Sequence, residues 1–273
     1  MRRMFPAAAA LLMIAACHRS GAPPATKADP AIEAALASPT RTDAERARDK
    51  FRHPAETLSF FGLKPDMHVI ELVPGGGWYT AILAPYLHDK GAYTITMGDP
   101  NGPPDGEGTK QAQAMQKRLA SAPAFDKVTT VRWDPKNLNL GPDGSADMVL
   151  TFRNIHNWIP DGNAAAVFSA IAKVLKPGGV LGVTDHRTTK DQAPDVVDKT
   201  GYVSEAQVIA LAKAAGLELD ARSDVNANPK DTKDYPNGVW SLPPTYAGKD
   251  VDHAKFEAIG ESDRMTLRFR KPR

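Results

Sequence analysis

Residues 68–83, HVIELVPGGGWYTAIL, constrain the chain more than any other stretch. A short apolar run, 68–73, carries one acid, Glu71, near its end; Pro74-Gly75-Gly76-Gly77 follows, and then a second apolar segment of helical character. Strand, glycine turn and helix form a cofactor cradle in an open α/β sheet. Glycines let the backbone approach a ligand, and the helix start offers free N–H groups. A P-loop is excluded, because no Lys follows the glycines. A dinucleotide pattern beginning at Gly75 and Gly77 meets Thr80 where the third glycine belongs, which weakens it. A glycine turn in a fold without a cofactor stays open as the alternative.

Beyond this stretch, strand-like and helix-like segments alternate. Apolar or alternating runs predict strands at 92–97, 128–133, 147–152, 180–184, 217–223 and 264–270. Helices are expected at 78–87, 110–119, 163–175 and 204–216, the last with Ser204 as N-cap and Gly216 just past its end. Upstream, 30–38 reads as a helix with Pro at its start, Thr42-Asp43-Ala44-Glu45 as a capping box, and 54–61 as a further helix. Such alternation demands a parallel sheet with right-handed crossovers. Residues 226–260 lack helical periodicity before Val251 and read as a substrate lid or a packed excursion.

The pattern E-L-x-P-G-G-G at 71–77 resembles motif I of the class I S-adenosylmethionine-dependent methyltransferases, acid-x-G-x-G-x-G. Glu71, Gly75 and Gly77 fall on the acid and the second and third glycines, and Val73 stands at the first. The lead-in GLKPD and the run VLKPGGVL at 174–181 are similar to that family's segments before strands one and five. The resemblance spans roughly 54–272. It implies an α/β fold of doubly wound, Rossmann-like type, with a mostly parallel seven-stranded sheet whose last strand inserts antiparallel beside the fifth. It also implies S-adenosylmethionine as cofactor, held by Glu71, Pro74, Gly75, Gly77, Tyr79, Asp99, Asp134 and Asn154. Asp99 would take the ribose hydroxyls and Asp134 the adenine amine; each is otherwise an N-cap or turn residue.

Methyl transfer needs donor and acceptor aligned and the acceptor lone pair free. Ligands in such sheets bind outside the carboxyl ends of the strands, which gathers Asn154, His156, Asp185 and His186 at one edge. His156 is the candidate general base, since a neutral imidazole can take a proton; a structural histidine bonded to the loop backbone is the alternative. Asp185, His186 and Arg187 are candidates for substrate binding or for a strand-end cap. Trp78 or Tyr79 could face a sulfonium through a cation–π contact, though one of the two belongs to the core. His53, His68, His88 and His253 stand isolated, so no metal site is expected.

The address comes from the N-terminus. Arg2-Arg3 followed by a short apolar run and Ile14-Ala15-Ala16-Cys17 resembles a bacterial lipobox, and Cys17 is the sole cysteine of the 273 residues. Residues 1–17 read as a signal peptide, 18–30 as a flexible Pro/Ala-rich tether, and 31–273 as one domain with N-terminal helices at 31–62 and the lid-like insertion at 226–260. The expected protein is lipidated at Cys17, attached to the membrane by that anchor, and faces the periplasm from the outer membrane; Arg2-Arg3-Met4-Phe5 also fits part of a twin-arginine signal. A net charge of +2, with no Lys/Arg stripe, gives no case for nucleic acid. The partner is then a small-molecule or envelope acceptor, or, if catalysis is absent, a ligand bound by an exported protein on the same fold.

Overall fold

The computed structural model describes residues 29–273. The lipobox and the tether up to residue 28 lie outside the described residues. Among the described residues there are eight strands, most of them separated by helices: β1 (His68–Leu72), β2 (Ala92–Met97), β3 (Thr129–Arg132), β4 (Ala146–Phe152), β5 (Leu175–Thr188), β6 (Val203–Ser204), β7 (Glu218–Ser223) and β8 (Arg264–Arg270). The sheet order is β3-β2-β1-β4-β5-β8-β7, with the two-residue β6 beside the far end of β5. Pairing is parallel from β3 through β5, and β8 runs antiparallel between β5 and β7. That is the doubly wound sheet expected, with its final strand reversed beside the fifth.

Strand pleating sends alternate side chains to opposite faces, and two cores follow from it. Ile70, Leu72, Val149, Leu181 and Val183 join Val167, Phe168 and Ile171 of helix Ala164–Val174 and Val208 of helix Glu205–Ala214. Val69, Met148, Leu150 and Val180 face the other way, against helices Pro54–Phe61 and Thr80–Leu87. Gly182 sits on this second face. A Cβ there would come within 2.8 Å of the Phe61 ring, so the glycine sets how closely helix Pro54–Phe61 lies on the sheet.

The N-terminal capping box forms as expected: Thr42 N–H donates to Glu45 at 2.8 Å and Glu45 N–H to Thr42 Oγ1 at 3.2 Å. The helix it opens is shorter than its pattern suggests. It divides into Asp43–Arg46 and Asp49–Arg52, and His53 turns left-handed (φ 41°) ahead of Pro54, which disfavours a helical residue before it. β5 differs in the other direction. The Lys176–Gly179 run does not separate helix from strand but lies inside β5, where Gly178 N–H donates to the carbonyl of Lys271 at 2.8 Å. The register beside β4 shifts between Ala146 and Met148, and this bulge accommodates the glycines.

Candidate functional site

The turn after β1 is left-handed at Val73 (φ 44°), Gly75 (φ 57°) and Gly77 (φ 78°). A β-branched residue pays roughly 1–2 kcal/mol for that conformation. Val73 is pinned there by its N–H, which donates to Thr96 Oγ1 on β2 at 2.8 Å. Cβ atoms added at Gly75 and Gly76 would meet nothing within 4 Å, so this backbone faces open space. Gly77 is the opposite case: a Cβ would strike the side chain of Arg118, which donates to the carbonyl of Gly76 at 3.0 Å and pairs with Glu45 at 2.7 Å.

Behind the turn, Glu71 is fully buried and accepts hydrogen bonds from Thr80 Oγ1 at 3.0 Å and from Tyr93 Oη. Burial pushes its carboxyl up to about 7, against the pull of those two hydroxyls. Thr80, the residue that breaks the dinucleotide pattern, is therefore a donor to the motif's acid.

Two cavities meet at residues 73–75. The smaller, about 100 Å³, is lined mainly by apolar side chains, among them Met97, Met115 and Trp133, with Gly98. Asp99 and Asp134 lie one residue beyond its lining residues Gly98 and Trp133. Asp99 pairs with Arg132 at 3.1 Å and accepts from Asn101 N–H, while Asp134 accepts from Lys136 N–H. The larger, about 350 Å³, is lined by Glu71, Pro74, Gly75, Tyr79, Arg153 and Asn154, with Arg48 and Arg52 from the N-terminal helices. Asn154 donates to the carbonyl of Leu72 at 2.9 Å and so joins the ends of β1 and β4. Tyr79 stacks on Phe152 with centroids 3.5 Å apart; Trp78 packs under the guanidiniums of Arg41 and Arg52. Both rings are buried while lining this cavity.

A third cavity, about 160 Å³, lies on the far side of Arg153 and is lined by His156 and His186. Asp185 is fully buried and its carboxylate accepts from Ile155 N–H (2.7 Å), His156 N–H (3.3 Å), His156 Nδ1 (2.9 Å) and His186 N–H (2.8 Å). An ionised carboxylate only accepts, so Nδ1 of His156 is the donor of this contact, and in the neutral ring Nε2 then holds the lone pair. His186 Nδ1 meets Ser262 Oγ at 2.5 Å; burial, then the nearby His156 and arginines, hold its pKa well below the usual range. Of the three candidates at the end of β5, Asp185 positions His156 and His186 lines the cavity. Arg187 does not join them. It is tied to Asp263 (2.9 Å), Asp224 (2.8 Å) and Glu205 (3.3 Å), outside this cavity. Segment 226–260 is the roof: Val239, Trp240, Pro243, Pro244 and Thr245 cover the two histidines.

His156, Asp185 and His186 bring potential metal ligands within 4.8 Å of one another, a cluster the isolated histidines of the sequence do not suggest. The Asp185 carboxylate, however, already accepts four donors.

Arginines complete the site, and sequence reasoning does not single them out. Glu261 accepts from Arg48 Nε (2.6 Å), Arg52 Nε (3.1 Å) and Arg264 Nη1 (2.9 Å). It lies 4% exposed, and the guanidiniums outweigh its burial, holding its carboxyl down at about 2. Only the polarity of the run ESDR at 261–264, just ahead of a strand, hints at it.

Residues 69–179 match the model of a methyltransferase-domain family. Solved structures with similar folds include a SAM-dependent methyltransferase from Aquifex aeolicus (18% identity, covering 88% of this chain and 96% of that one, TM-score 0.53). An arsenic(III) S-adenosylmethionine methyltransferase from Chlamydomonas reinhardtii follows at 18% identity, covering 89% and 74%, TM-score 0.51. The [4+2]-cyclase SpnF aligns at 18% identity, covering 86% and 85%, TM-score 0.55. A search of curated proteins returns no match.

The Glu261 cluster sets a stability test. Replacing Glu261→Gln leaves the buried guanidiniums of Arg52 and Arg264, and the partly exposed one of Arg48, without their counter-charge and should cost about 3–5 kcal/mol. Because the folded-state pKa is depressed from 4.5 to about 2, this contribution is full above pH 4.5 and is lost as the pH falls toward 2. Unfolding measured against pH should therefore show the wild-type advantage shrinking through that window; parallel profiles would contradict it.

Proposed function

We propose, from the premise that residues 69–179 form a methyltransferase domain of the class I type whose cofactor is S-adenosylmethionine, that the protein is a methyltransferase acting on a small-molecule or envelope acceptor. The observation that carries this reading is the left-handed turn at 73–77, open on one side onto two adjoining cavities. The residues present fit the cofactor. An apolar slot between Met97, Met115 and Trp133 suits a nucleobase, acids stand just past β2 and β3, and a polar chamber beside Gly75 and Asn154 suits an amino-acid end.

When bound, the cofactor supplies an electrophilic methyl group. The chain's own task is alignment and proton removal. His156 keeps Nε2 free to accept the acceptor's proton, because Asp185 fixes its ring and tautomer through Nδ1. Trp240, Pro243 and Pro244 cover that histidine. The export segment motivates a second reading, a non-catalytic ligand-binding lipoprotein on the same fold, and the cyclase among the structural neighbours is a reminder that the fold admits other chemistry.

Calorimetry on the purified protein tests the cofactor assignment. S-adenosylmethionine should bind, and Asp99→Ala should weaken it by about 1.5–3 kcal/mol with little change in melting. Equal affinity in both proteins would show that Asp99 is not the ribose ligand.

The chemical step is tested once labelled cofactor has identified an acceptor in envelope extracts. His156→Asn should slow transfer by about 10²–10⁴-fold and leave cofactor affinity near wild type. Joint loss of melting temperature and cofactor affinity would assign His156 a structural role. Cofactor binding without any transfer would favour the binding-protein reading.

The address is tested separately. We place the protein on the periplasmic side of the membrane, lipidated at Cys17, and Cys17→Ser should abolish lipid labelling. Unchanged membrane attachment in that variant would refute the anchor.

A further inference from the structure

Arg153 is the residue common to the cofactor chamber and the histidine cavity. Its backbone is left-handed (φ 63°) directly after β4, a conformation few non-glycine residues hold without a reason, and its N–H donates to the carbonyl of Thr184 at 2.7 Å. The half-buried guanidinium makes no hydrogen bond or ion pair among the described residues. Every other described arginine except the terminal Arg273 is paired with a carboxylate. An enclosed guanidinium with unused donors is set to receive a planar or tetrahedral anion.

The surroundings favour the same sign of ligand. Arg48, Arg52 and Arg264 share the single carboxylate of Glu261, and Nη2 of both Arg48 and Arg52 is buried without a partner. The other nearby carboxylate, Asp185, is filled by four N–H donors, so it neither neutralises Arg153 by contact nor offers a free oxygen to a cation. A metal ion between His156 and His186 would sit among these guanidiniums with one of its three candidate ligands already committed. The missing component is negative charge.

We propose that the acceptor is a small anionic molecule, bearing a carboxylate or phosphate that Arg153 grips while its proton-bearing atom faces Nε2 of His156. This rests on the methyltransferase reading for its chemistry, though not for the binding itself. Arg153 lies three residues before His156, and both line one cavity of about 160 Å³, so the two contacts fall on a single compact ligand. Trp240 and the Pro243-Pro244 pair supply the apolar roof over its remaining surface.

The experiment uses the full chain, purified in detergent, with and without S-adenosylhomocysteine. Inorganic phosphate and acetate are titrated by calorimetry, with acetamide as the neutral match for acetate. Saturable binding of one or both anions is expected, and none of acetamide. Arg153→Gln should weaken the anion roughly ten- to a hundredfold, the scale of losing hydrogen bonds to a charged group, and affect S-adenosylhomocysteine much less. Should that variant fail to fold, phenylglyoxal labelling of the wild type gives the same answer: the anion, and not acetamide, should protect Arg153. Phosphate against acetate separates the two headgroups.

No saturable anion binding, equal binding in Arg153→Gln, or a larger loss for S-adenosylhomocysteine than for the anion would each overturn the proposal. In the last case Arg153 serves the cofactor's own carboxylate. Anion binding that persists where S-adenosylhomocysteine does not bind would refute the cofactor assignment and leave this one standing.

Discussion

The buried carboxylate of Glu261 joins parts of the chain that are 213 positions apart. It receives Arg48 and Arg52 from the N-terminal helices and Arg264 from the start of β8, and so fastens those helices over the glycine turn. Desolvating three guanidiniums for one carboxylate is costly unless the geometry is close, and the contacts of 2.6–3.1 Å meet that condition. The excess positive charge is not dispersed into solvent. It stays beside the cavities, with Arg48 and Arg52 on the wall of the larger one.

Much of this architecture is local in origin and therefore readable. The parallel α/β sheet follows from alternating periodicities, the placing of its last strand from the family resemblance, the capping box at Thr42 from spacing alone, and the turn at 73–77 from its glycines. Contacts between remote residues are a different matter. Of the partners of Glu261 only Arg264 lies near it in the sequence, while Arg48 and Arg52 are more than 200 positions away, and Arg153 looks like an ordinary loop residue until its lack of a partner among the described residues is seen in space. The Asp185-His186-Arg187 run misleads for a related reason. Asp185 and His186 reach the histidine cavity, but the carboxylates that surround Arg187 come from segments the run itself does not reveal. Acids from helix Glu205–Ala214, from the end of β7 and from the approach to β8 claim Arg187 instead.

Departures from the motif are compensated individually. Val73 takes the left-handed conformation of the glycine it replaces, held by Thr96. Thr80 occupies a position where a dinucleotide fold would need close helix–strand contact, and uses its hydroxyl to satisfy Glu71. A motif scored letter by letter undervalues this turn, because the backbone geometry is retained while the residue types change.

The reversed β8 has a consequence for how the protein can diversify. β7 ends and β8 begins at the edge where the parallel strands deliver their carboxyl ends, so the intervening chain leaves and returns on the same side of the sheet. Its two attachment points stay fixed by strand pairing whatever lies between them. The entropic cost of closing such a loop grows only with the logarithm of its length. The roof above His156 can therefore be lengthened, trimmed or re-lettered for a new ligand, while the half of the site built on β1 and β2 is left untouched.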